Sequence, residues 1–234
     1  MTIKAVLFDF GDTLVSYVLE HRDSQIEFLR SFFRDELGRF GNDHGVSASL
    51  EQLASALNRE EPDGRVVPFR ERISQPRILG HAAVGLEREI EQRICDGVFS
   101  TARKYDDVDD VVNDLRSRDL KVGIVSNLPW GTDPSVWHPE FARHGFGLGR
   151  VDTIVCCGDV GHRKPNPAAL HAATRALGLE CSEVVFVGNS IASDVLAAKN
   201  ANIRPILIDR HDRDQELEGV RVIKTLKEVV DLVC

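Results

Sequence analysis

The chain lacks a long apolar run and an excess of positive charge. No window in its 234 residues approaches the roughly 18 consecutive apolar residues of a membrane span. Its opening residues lack the full pattern of a secretory signal peptide. The formal net charge is −8, which disfavours nucleic acid and anionic membranes as partners, because binding to their phosphates requires a basic face. We therefore expect a folded, globular, cytoplasmic protein that binds neither nucleic acid nor membranes; a local basic pocket is compatible with this overall charge.

Cysteine is also scarce, and its spacing excludes the usual cysteine motifs. The five residues form no CxxC pair and have no ordered histidine spacing around them. We expect reduced and mostly buried thiols. They are Cys95, Cys156, Cys157, Cys181 and Cys234.

Five short, β-branched runs predict strands that are buried on both faces. Each run ends in small or polar residues, and helical patterns separate the later ones. This alternation predicts an α/β fold with a Rossmann-like, doubly wound parallel sheet. The runs are "IKAVLFDF", "LKVGIVSN", "DTIVCCGDV", "EVVFVGNS" and "IRPILIDR", and the helical patterns are "DDVVNDLRSRD", "NPAALHAATRALG" and "IASDVLAAKNA".

The first strand is followed by an insertion far longer than an ordinary strand-to-helix connection. Ser24 and Glu27 form a capping box ahead of an apolar stripe at helical spacing. Further helices are predicted in "SLEQLASALNRE" and "GLEREIEQRICDGVFSTARKY". We therefore expect a core made of residues 1–15 and 104–234, interrupted by a helical cap domain at 16–103.

Polar residues follow four of the predicted strands, where the carboxyl ends of a parallel sheet meet at a single edge and bind ligands. Taken singly, each is ordinary turn, loop or cap chemistry. Together, in this order, they predict a site. The residues are Asp9 after the first strand, Ser126 and Asn127 after the second, Lys164 after the third, and Asn189 with Asp194 after the fourth.

This set resembles the four motifs of the haloacid dehalogenase-like hydrolase superfamily, and the insertion resembles its first-type cap. The resemblance implies that Asp9 is the nucleophile, and that Ser126, Asn127 and Lys164 bind the substrate's phosphate. It also implies a Mg²⁺ ion held by Asp9, the Gly11 carbonyl, Asn189 and Asp194. The chemistry suits these residue types, because Mg²⁺, an ammonium and a hydroxyl can offset the repulsion between a carboxylate and a phosphate.

Two positions depart from the phosphatase pattern. Gly11 stands where phosphatases of this superfamily usually carry a second aspartate, the general acid. Asp12 is one position further on, where an extended backbone would direct it to the other face unless the strand has already ended. We interpret it as a capping or turn residue, with a substitute general acid as the alternative. Asn189 replaces a usual metal-binding aspartate, which predicts weaker Mg²⁺ binding because hard cations favour carboxylates.

These departures leave three functions open. The first is a Mg²⁺-dependent phosphatase that acts on a small phosphorylated metabolite through an aspartyl phosphate. The second is a metal-independent 2-haloacid dehalogenase, whose carboxylate attacks carbon. The third is a degenerate member that binds a ligand without turnover. We favour the phosphatase, because a halide cradle is not evident in the sequence.

Two further stretches flank the predicted site. In "LPWGTDPSVWHPEF" we expect Trp130, Trp137 and His138 to pack a loop, with a substrate wall as the alternative. In the insertion, arginines alternate with acidic residues, which is typical of a solvated face. One or two of these arginines could instead close over an anionic substrate. They are Arg59, Arg65, Arg70, Arg72 and Arg77.

Overall fold

A six-stranded, all-parallel sheet forms the centre of the computed structural model. The model describes residues 2–17, 61–74, 85–147, 149–211 and 217–233, together with the single residues 27, 31, 35 and 57. The strand order is β5-β4-β1-β6-β7-β8. The strands are β1 (Ala5–Phe8), β4 (Lys121–Ser126), β5 (Thr153–Cys156), β6 (Val184–Gly188), β7 (Arg204–Ile208) and β8 (Arg221–Ile223).

The order is that of a Rossmann fold, in which the chain builds one half of the sheet and then returns to build the other. β1 lies between β4 and β6, with Phe8 opposite Ile124 on one side and Val187 on the other. The direction of winding therefore reverses beside β1, and the crevice at the carboxyl ends of these strands is the expected ligand site.

Helices cover both faces of the sheet, as the continuous apolar character of its strands requires. Val6 and Phe8 belong to the larger apolar cluster, and Ala5 and Leu7 belong to the cluster on the other face. Within the described part of the chain, the helices with regular α geometry are Phe69–Ile73, Glu87–Ser100, Val108–Ser117, Pro134–Arg143, Cys157–Val160, Ala168–Leu177, Leu196–Asn200 and Lys227–Val233. None of the described helices is both long enough and apolar enough to cross a bilayer.

A second, two-stranded sheet lies where the long insertion leaves and rejoins the core. β2 (Val15–Ser16) and β3 (Arg103–Lys104) are antiparallel, with Val15 opposite Lys104. The helix Glu87–Ser100 lies just before β3, and its Ile90, Ile94 and Val98 join the larger apolar cluster of the core. The two ends of the insertion therefore leave the core side by side.

The predicted parallel sheet is confirmed: all five predicted strands form, in one sheet. The helical patterns are also confirmed at Val108–Ser117, at Ala168–Leu177 and, as a π-helical turn that continues into an α-helix, at Ile191–Asn200. Gly178 ends the second of these helices with a φ of 67°. The last predicted helix of the insertion forms at Glu87–Ser100, whereas those around Ser24 and in "SLEQLASALNRE" lie outside the described residues apart from isolated positions.

The prediction of a loop after the second strand was wrong in part, because a helix spans Pro134–Arg143. Asp133 caps it by accepting from the Ser135 N–H at 2.8 Å, and Pro134 occupies its first turn, where no N–H is needed. Pro139 within the helix obscured the signal. Trp130 and Trp137 are buried, as expected for packing. The sequence analysis also missed β8, which is only three residues long.

Candidate active site

All seven residues of the predicted site line a single cavity at the carboxyl ends of β1, β4 and β6. The cavity has a volume of about 860 Å³ and lies at the reversal of winding beside β1. Three strand ends and the loop after β5 contribute to it, so residues up to 185 positions apart in the chain come together. They are Asp9, Gly11, Ser126, Asn127, Lys164, Asn189 and Asp194.

Asp9 is the buried carboxylate at the end of β1. Its backbone N–H continues the ladder by donating to the Val187 carbonyl at 2.8 Å. Its Oδ1 accepts from the Lys164 ammonium at 2.5 Å, and its Oδ2 accepts from the Thr13 hydroxyl at 3.2 Å. Burial raises the pKa of Asp9 to about 7, Lys164 opposes this rise, and Asp194 reinforces it. A further positive charge in the cavity would therefore favour the ionised form.

Lys164 joins the two carboxylates of the site. Its Nζ lies 2.7 Å from Asp194 Oδ1 and also donates to the Val125 carbonyl at 3.0 Å. Its side chain is only 1% exposed. Burial alone would lower the pKa of Lys164, but the attraction of Asp194 and Asp9 outweighs it and raises the pKa. Lys164 is therefore a fixed cation, held between two anions at the base of the cavity.

Asp194 is positioned by the loop that follows β6. Its Oδ2 accepts from the Ser190 N–H at 2.9 Å, while Ser190 Oγ accepts from the Ser193 N–H at 3.2 Å. A Cβ atom at Gly188 would lie 2.5 Å from the Cβ and Cγ of Asp194, so only glycine allows this close approach. The loop that follows β6 thus folds back so that the carboxylate of Asp194 reaches Lys164.

Ser126 and Asn127 contribute to the site in different ways. Asn127 pairs with the backbone of Lys164 in both directions, accepting its N–H at 2.9 Å and donating to its carbonyl at 3.1 Å. Its amide therefore positions Lys164. The Ser126 hydroxyl makes no hydrogen bond to the described residues, and it is available to a ligand in the cavity.

Gly11 and Asp12 form the turn after Asp9. Asp12 has a left-handed backbone, with a φ of 58°, and its N–H donates to the Val15 carbonyl at 2.7 Å, as expected for a turn residue. The strand has already ended before Asp12, so the side chain is not directed away from the site, and Asp12 also lines the cavity. A Cβ atom at Gly11 would meet only Tyr17 Cδ2, at 4.0 Å, among described atoms beyond its chain neighbours. A side chain therefore fits at position 11.

The predicted metal ligands supply oxygen and only two negative charges. Asp9, Gly11, Asn189 and Asp194 offer carboxylate, carbonyl and carboxamide oxygens, the donors that suit Mg²⁺. The described residues contain no cluster of three histidine, cysteine or acidic side chains that could hold a metal ion. Lys164 already occupies one oxygen of each carboxylate. The ligand atoms are therefore of the type that Mg²⁺ prefers, but only two of the ligands carry a negative charge.

Further residues at the site were not predicted. Thr13 does not line the cavity, but its hydroxyl donates to Asp9 Oδ2, and a hydroxyl four positions after Asp9 was a visible signal. Glu61 and Asp63 line the cavity from the insertion, and Arg163 lines it beside Lys164. The described arginines of the insertion, Arg65, Arg70 and Arg72, do not line it, and neither do Trp130, Trp137 and His138.

The insertion reaches the cavity through a backbone connection. The Val66 N–H donates to the Gly161 carbonyl at 2.8 Å, and the Arg163 N–H donates to the Gly64 carbonyl at 2.8 Å. These bonds fasten the segment 61–66 to the loop that carries Lys164. Among the charged residues of the insertion that the structure describes, Glu61 and Asp63 line the cavity and no arginine does.

A family model described as haloacid dehalogenase-like hydrolase matches residues 3–202. Among curated proteins, the pyrophosphatase PpaX of Halalkalibacterium halodurans is 26% identical, over 100% of this chain and 98% of its own. The match spans both the strands that carry the cavity and the insertion between them.

Solved structures show the same fold in proteins of two activities. An HAD phosphatase from Thermococcus onnurineus superposes with a TM-score of 0.66 at 22% identity, covering 99% of this chain and 98% of its own. A 2-haloacid dehalogenase from Pseudomonas syringae pv. Tomato DC3000 superposes with a TM-score of 0.67 at 18% identity, with the same coverage. The fold alone therefore does not separate phosphatase from dehalogenase.

Proposed function

The chain belongs to the haloacid dehalogenase-like hydrolase family, and from that premise we propose that it is a Mg²⁺-dependent phosphatase of a small phosphorylated metabolite. One observation carries the proposal. The Asp9 carboxylate, the Lys164 ammonium and the uncommitted Ser126 hydroxyl line the same cavity. A nucleophile, a cation and a hydroxyl donor are the groups that transfer of a phosphoryl group requires.

In this reaction Asp9 would attack phosphorus, the ester oxygen would leave with the electrons of the P–O bond, and an aspartyl phosphate would form. Water would then cleave that intermediate and regenerate the carboxylate. Ser126 would donate to a phosphoryl oxygen. Lys164 would offset negative charge on the phosphoryl oxygens. Its ammonium already pairs with Asp9 and Asp194, so it would interact with three anionic groups once the substrate is bound.

The residues that would hold Mg²⁺ are Asp9, the Gly11 carbonyl, Asn189 and Asp194. When bound, the ion would neutralise charge on the phosphoryl oxygens. Lys164 cannot do this alone, because it faces two carboxylates before any substrate enters. Asn189 contributes an oxygen without a charge, and we therefore expect weak metal affinity.

The PpaX relative supports phosphoryl chemistry, since it is named a pyrophosphatase and is similar over the whole chain. The cavity's described lining contains five acidic and two basic side chains and no aromatic ring, so an anionic phosphoryl group there would need the positive charge of a metal ion, as the proposal assumes. The four described cysteines are free and three of them are buried, which suits the cytoplasm, where thiols stay reduced.

We also propose that residues 16–103 form a cap domain on a core of 1–15 and 104–234. The pairing of β2 with β3 supports these boundaries, because it brings residues 15–16 and 103–104 together. An inserted domain needs adjacent ends of this kind. The segment 61–66 would then carry part of the cap's contribution to the rim.

A screen of phosphorylated metabolites and 2-haloacids, each with Mg²⁺ and with chelator, tests the proposal. We expect phosphate release that disappears in chelator and returns when Mg²⁺ is added. Undiminished phosphate release in chelator would exclude the metal-dependent mechanism. Asp9→Asn, assayed in parallel, should be inactive, since a carboxamide cannot form the acyl phosphate.

The second candidate is a 2-haloacid dehalogenase. Gly11 and Asn189 favour it, because together they remove two carboxylates that a metal-dependent phosphatase usually carries. In that reaction Asp9 would attack the carbon and displace halide. Halide release from a 2-haloacid in chelator, without phosphate release from any ester, would establish it. Binding without turnover of either substrate class would identify a degenerate member.

A further inference from the structure

Arg210 does not line the cavity, but it holds the loop that follows Asp9 by its backbone. It follows β7, and its Nε and Nη2 donate to the Thr13 carbonyl at 3.0 Å and 2.7 Å. The two residues are 197 positions apart in the chain. Two donors on one carbonyl fix both its position and its direction.

The guanidinium of Arg210 is itself held on two further sides. It makes a bidentate ion pair with Asp107, with Nη2 to Oδ1 at 3.0 Å and Nη1 to Oδ2 at 3.2 Å. Its Cζ lies 3.8 Å from the centroid of the Tyr105 ring. Asp107 is anchored in turn, because its Oδ2 also accepts from the Leu226 N–H at 2.8 Å. With side-chain exposures of 8% and 12%, the pair is largely shielded from water.

The residue that Arg210 holds is the one that contacts the nucleophile. The carbonyl of Thr13 accepts from Arg210, and the hydroxyl of the same Thr13 donates to Asp9 Oδ2. Lys164 holds the other oxygen, Oδ1. Thr13 is fully buried, so water cannot replace Arg210 at its carbonyl without repacking.

We propose that Arg210 is a positioning residue for the reaction, acting through Thr13 on the carboxylate of Asp9. The inference rests on the proposed function, in which Asp9 is the nucleophile. Arg210 orients the Thr13 peptide, Thr13 fixes the rotation of the Asp9 carboxylate, and Oδ1 stays with Lys164. A displacement of about 1 Å at a reacting group can cost on the order of 10²-fold in rate, so the loss of this support should appear in turnover.

The test compares Arg210→Met with Arg150→Met on an aryl phosphate with saturating Mg²⁺. Arg150 is a matched control, because its Nη2 pairs at 2.6 Å with Asp109, two residues beyond Asp107, and it makes no hydrogen bond to residues 10–15. Arg210→Met should lower kcat and kcat/KM by a similar factor, on the order of 10–10²-fold, with KM near wild type. Arg150→Met should leave kcat unchanged.

A double-mutant cycle separates positioning from general stability. If Arg210 acts through Thr13, then Arg210→Met should have little further effect on kcat in a Thr13→Val background. Each variant is assayed well below its own unfolding midpoint. Arg210→Lys keeps the positive charge but loses the paired N–H donors of the guanidinium, so its kcat should lie between those of wild type and Arg210→Met. If Arg210→Met does not fold, Arg210→Lys takes its place in the cycle.

Two results would overturn the inference. One is a variant of Arg210 that unfolds at a lower temperature but keeps wild-type kcat, which would mean a structural role alone. The other is a double variant whose loss in kcat equals the product of the losses in Thr13→Val and Arg210→Met, which would mean that the two residues act independently. Wild type and Asp9→Asn belong in the same assay: if wild type releases no phosphate from any ester, or Asp9→Asn equals it, then the proposed function itself has failed.

Discussion

Asp9 and Asp194 are two buried carboxylates that share one lysine, yet the chain positions them by different means. The loop after β6 directs Asp194 with hydrogen bonds between residues at most four positions apart, and Gly188 gives it room. The loop after β1 directs Asp9 through Thr13, whose carbonyl is held by Arg210, 197 positions further along the chain. One support is local, and the other depends on the completed sheet.

This difference shows how the site can be assembled during folding. The loop after β6 can adopt its geometry from its own sequence, because a cap and a glycine are local devices. The loop after β1 reaches its final geometry only when β7 has been placed and Arg210 follows it. We therefore infer that the orientation of Asp9, more than that of Asp194, depends on the whole fold.

The largest expected effect comes from removing the charge of each carboxylate in turn. Asp9→Asn should abolish turnover under every metal condition, because the attacking oxygen is lost. Asp194→Asn should keep the nucleophile but remove one of the two charged ligands proposed for Mg²⁺, and we expect kcat to fall by about 10²–10³-fold because charge on the phosphoryl oxygens is stabilised less. Initial rates at several Mg²⁺ concentrations check both variants.

Equal loss of activity in the two variants would contradict the roles assigned to them. Retained turnover in Asp9→Asn would contradict the nucleophile directly. The fold of each variant is checked by its unfolding midpoint, since removal of either partner leaves Lys164 buried with one fewer anion.

The sheet and the cavity residues could be predicted because their signals are local. Buried parallel strands are continuous apolar runs, and each chemical group lies at the end of such a run or in the segment that follows it. The helix Pro134–Arg143 was missed because Pro139 interrupts its pattern, and β8 because three residues carry too little periodicity. Arg210 could not be predicted, since nothing near "LIDRHD" indicates that its guanidinium would meet Thr13.

A second prediction concerns the position in the loop after β1 that lacks an acid. With glycine at position 11, the leaving oxygen has no neighbouring side chain there to protonate it, and a well-placed general acid is typically worth about 10²–10⁴-fold. Gly11→Asp should therefore raise the hydrolysis of alkyl phosphates far more than that of p-nitrophenyl phosphate, whose phenolate leaves without a proton. The measurement is the ratio of kcat/KM for alkyl over aryl substrates.

Asp12→Asn is the matched control for this experiment, because Asp12 lines the same cavity from the neighbouring position. We expect it to keep most of the activity. If the ratio does not move in Gly11→Asp while that variant stays folded and binds Mg²⁺, and if Asp12→Asn instead lowers the alkyl rate, then Asp12 already serves as the acid.

A third prediction changes the loop after β6 without changing its shape. Asn189→Asp adds a negative charge to a metal-ligand set that has only two, so the Mg²⁺ concentration at half-maximal activity should fall, by about tenfold for a gain of roughly 1.4 kcal/mol in binding. Titration of Mg²⁺ into chelator-treated protein measures this. Asn189→Ala is the control, and it should raise the requirement; an unchanged requirement in both variants would remove residue 189 from the ligand set.

The smallest expected effect comes from the local cap that positions Asp194. Ser190→Ala removes the hydroxyl that accepts from the Ser193 N–H, but it keeps the Ser190 N–H that donates to Asp194 Oδ2. Loss of such a cap typically costs about 1 kcal/mol. We therefore expect the free energy of unfolding, measured in urea, to fall by about this amount, while kcat stays close to wild type.

Arg210→Met should show the opposite balance, with a larger loss in kcat for a given loss of stability. If Ser190→Ala lowered kcat as much as Arg210→Met does at equal destabilisation, local and distant support would be equivalent, and the contrast between the two loops would have no functional consequence.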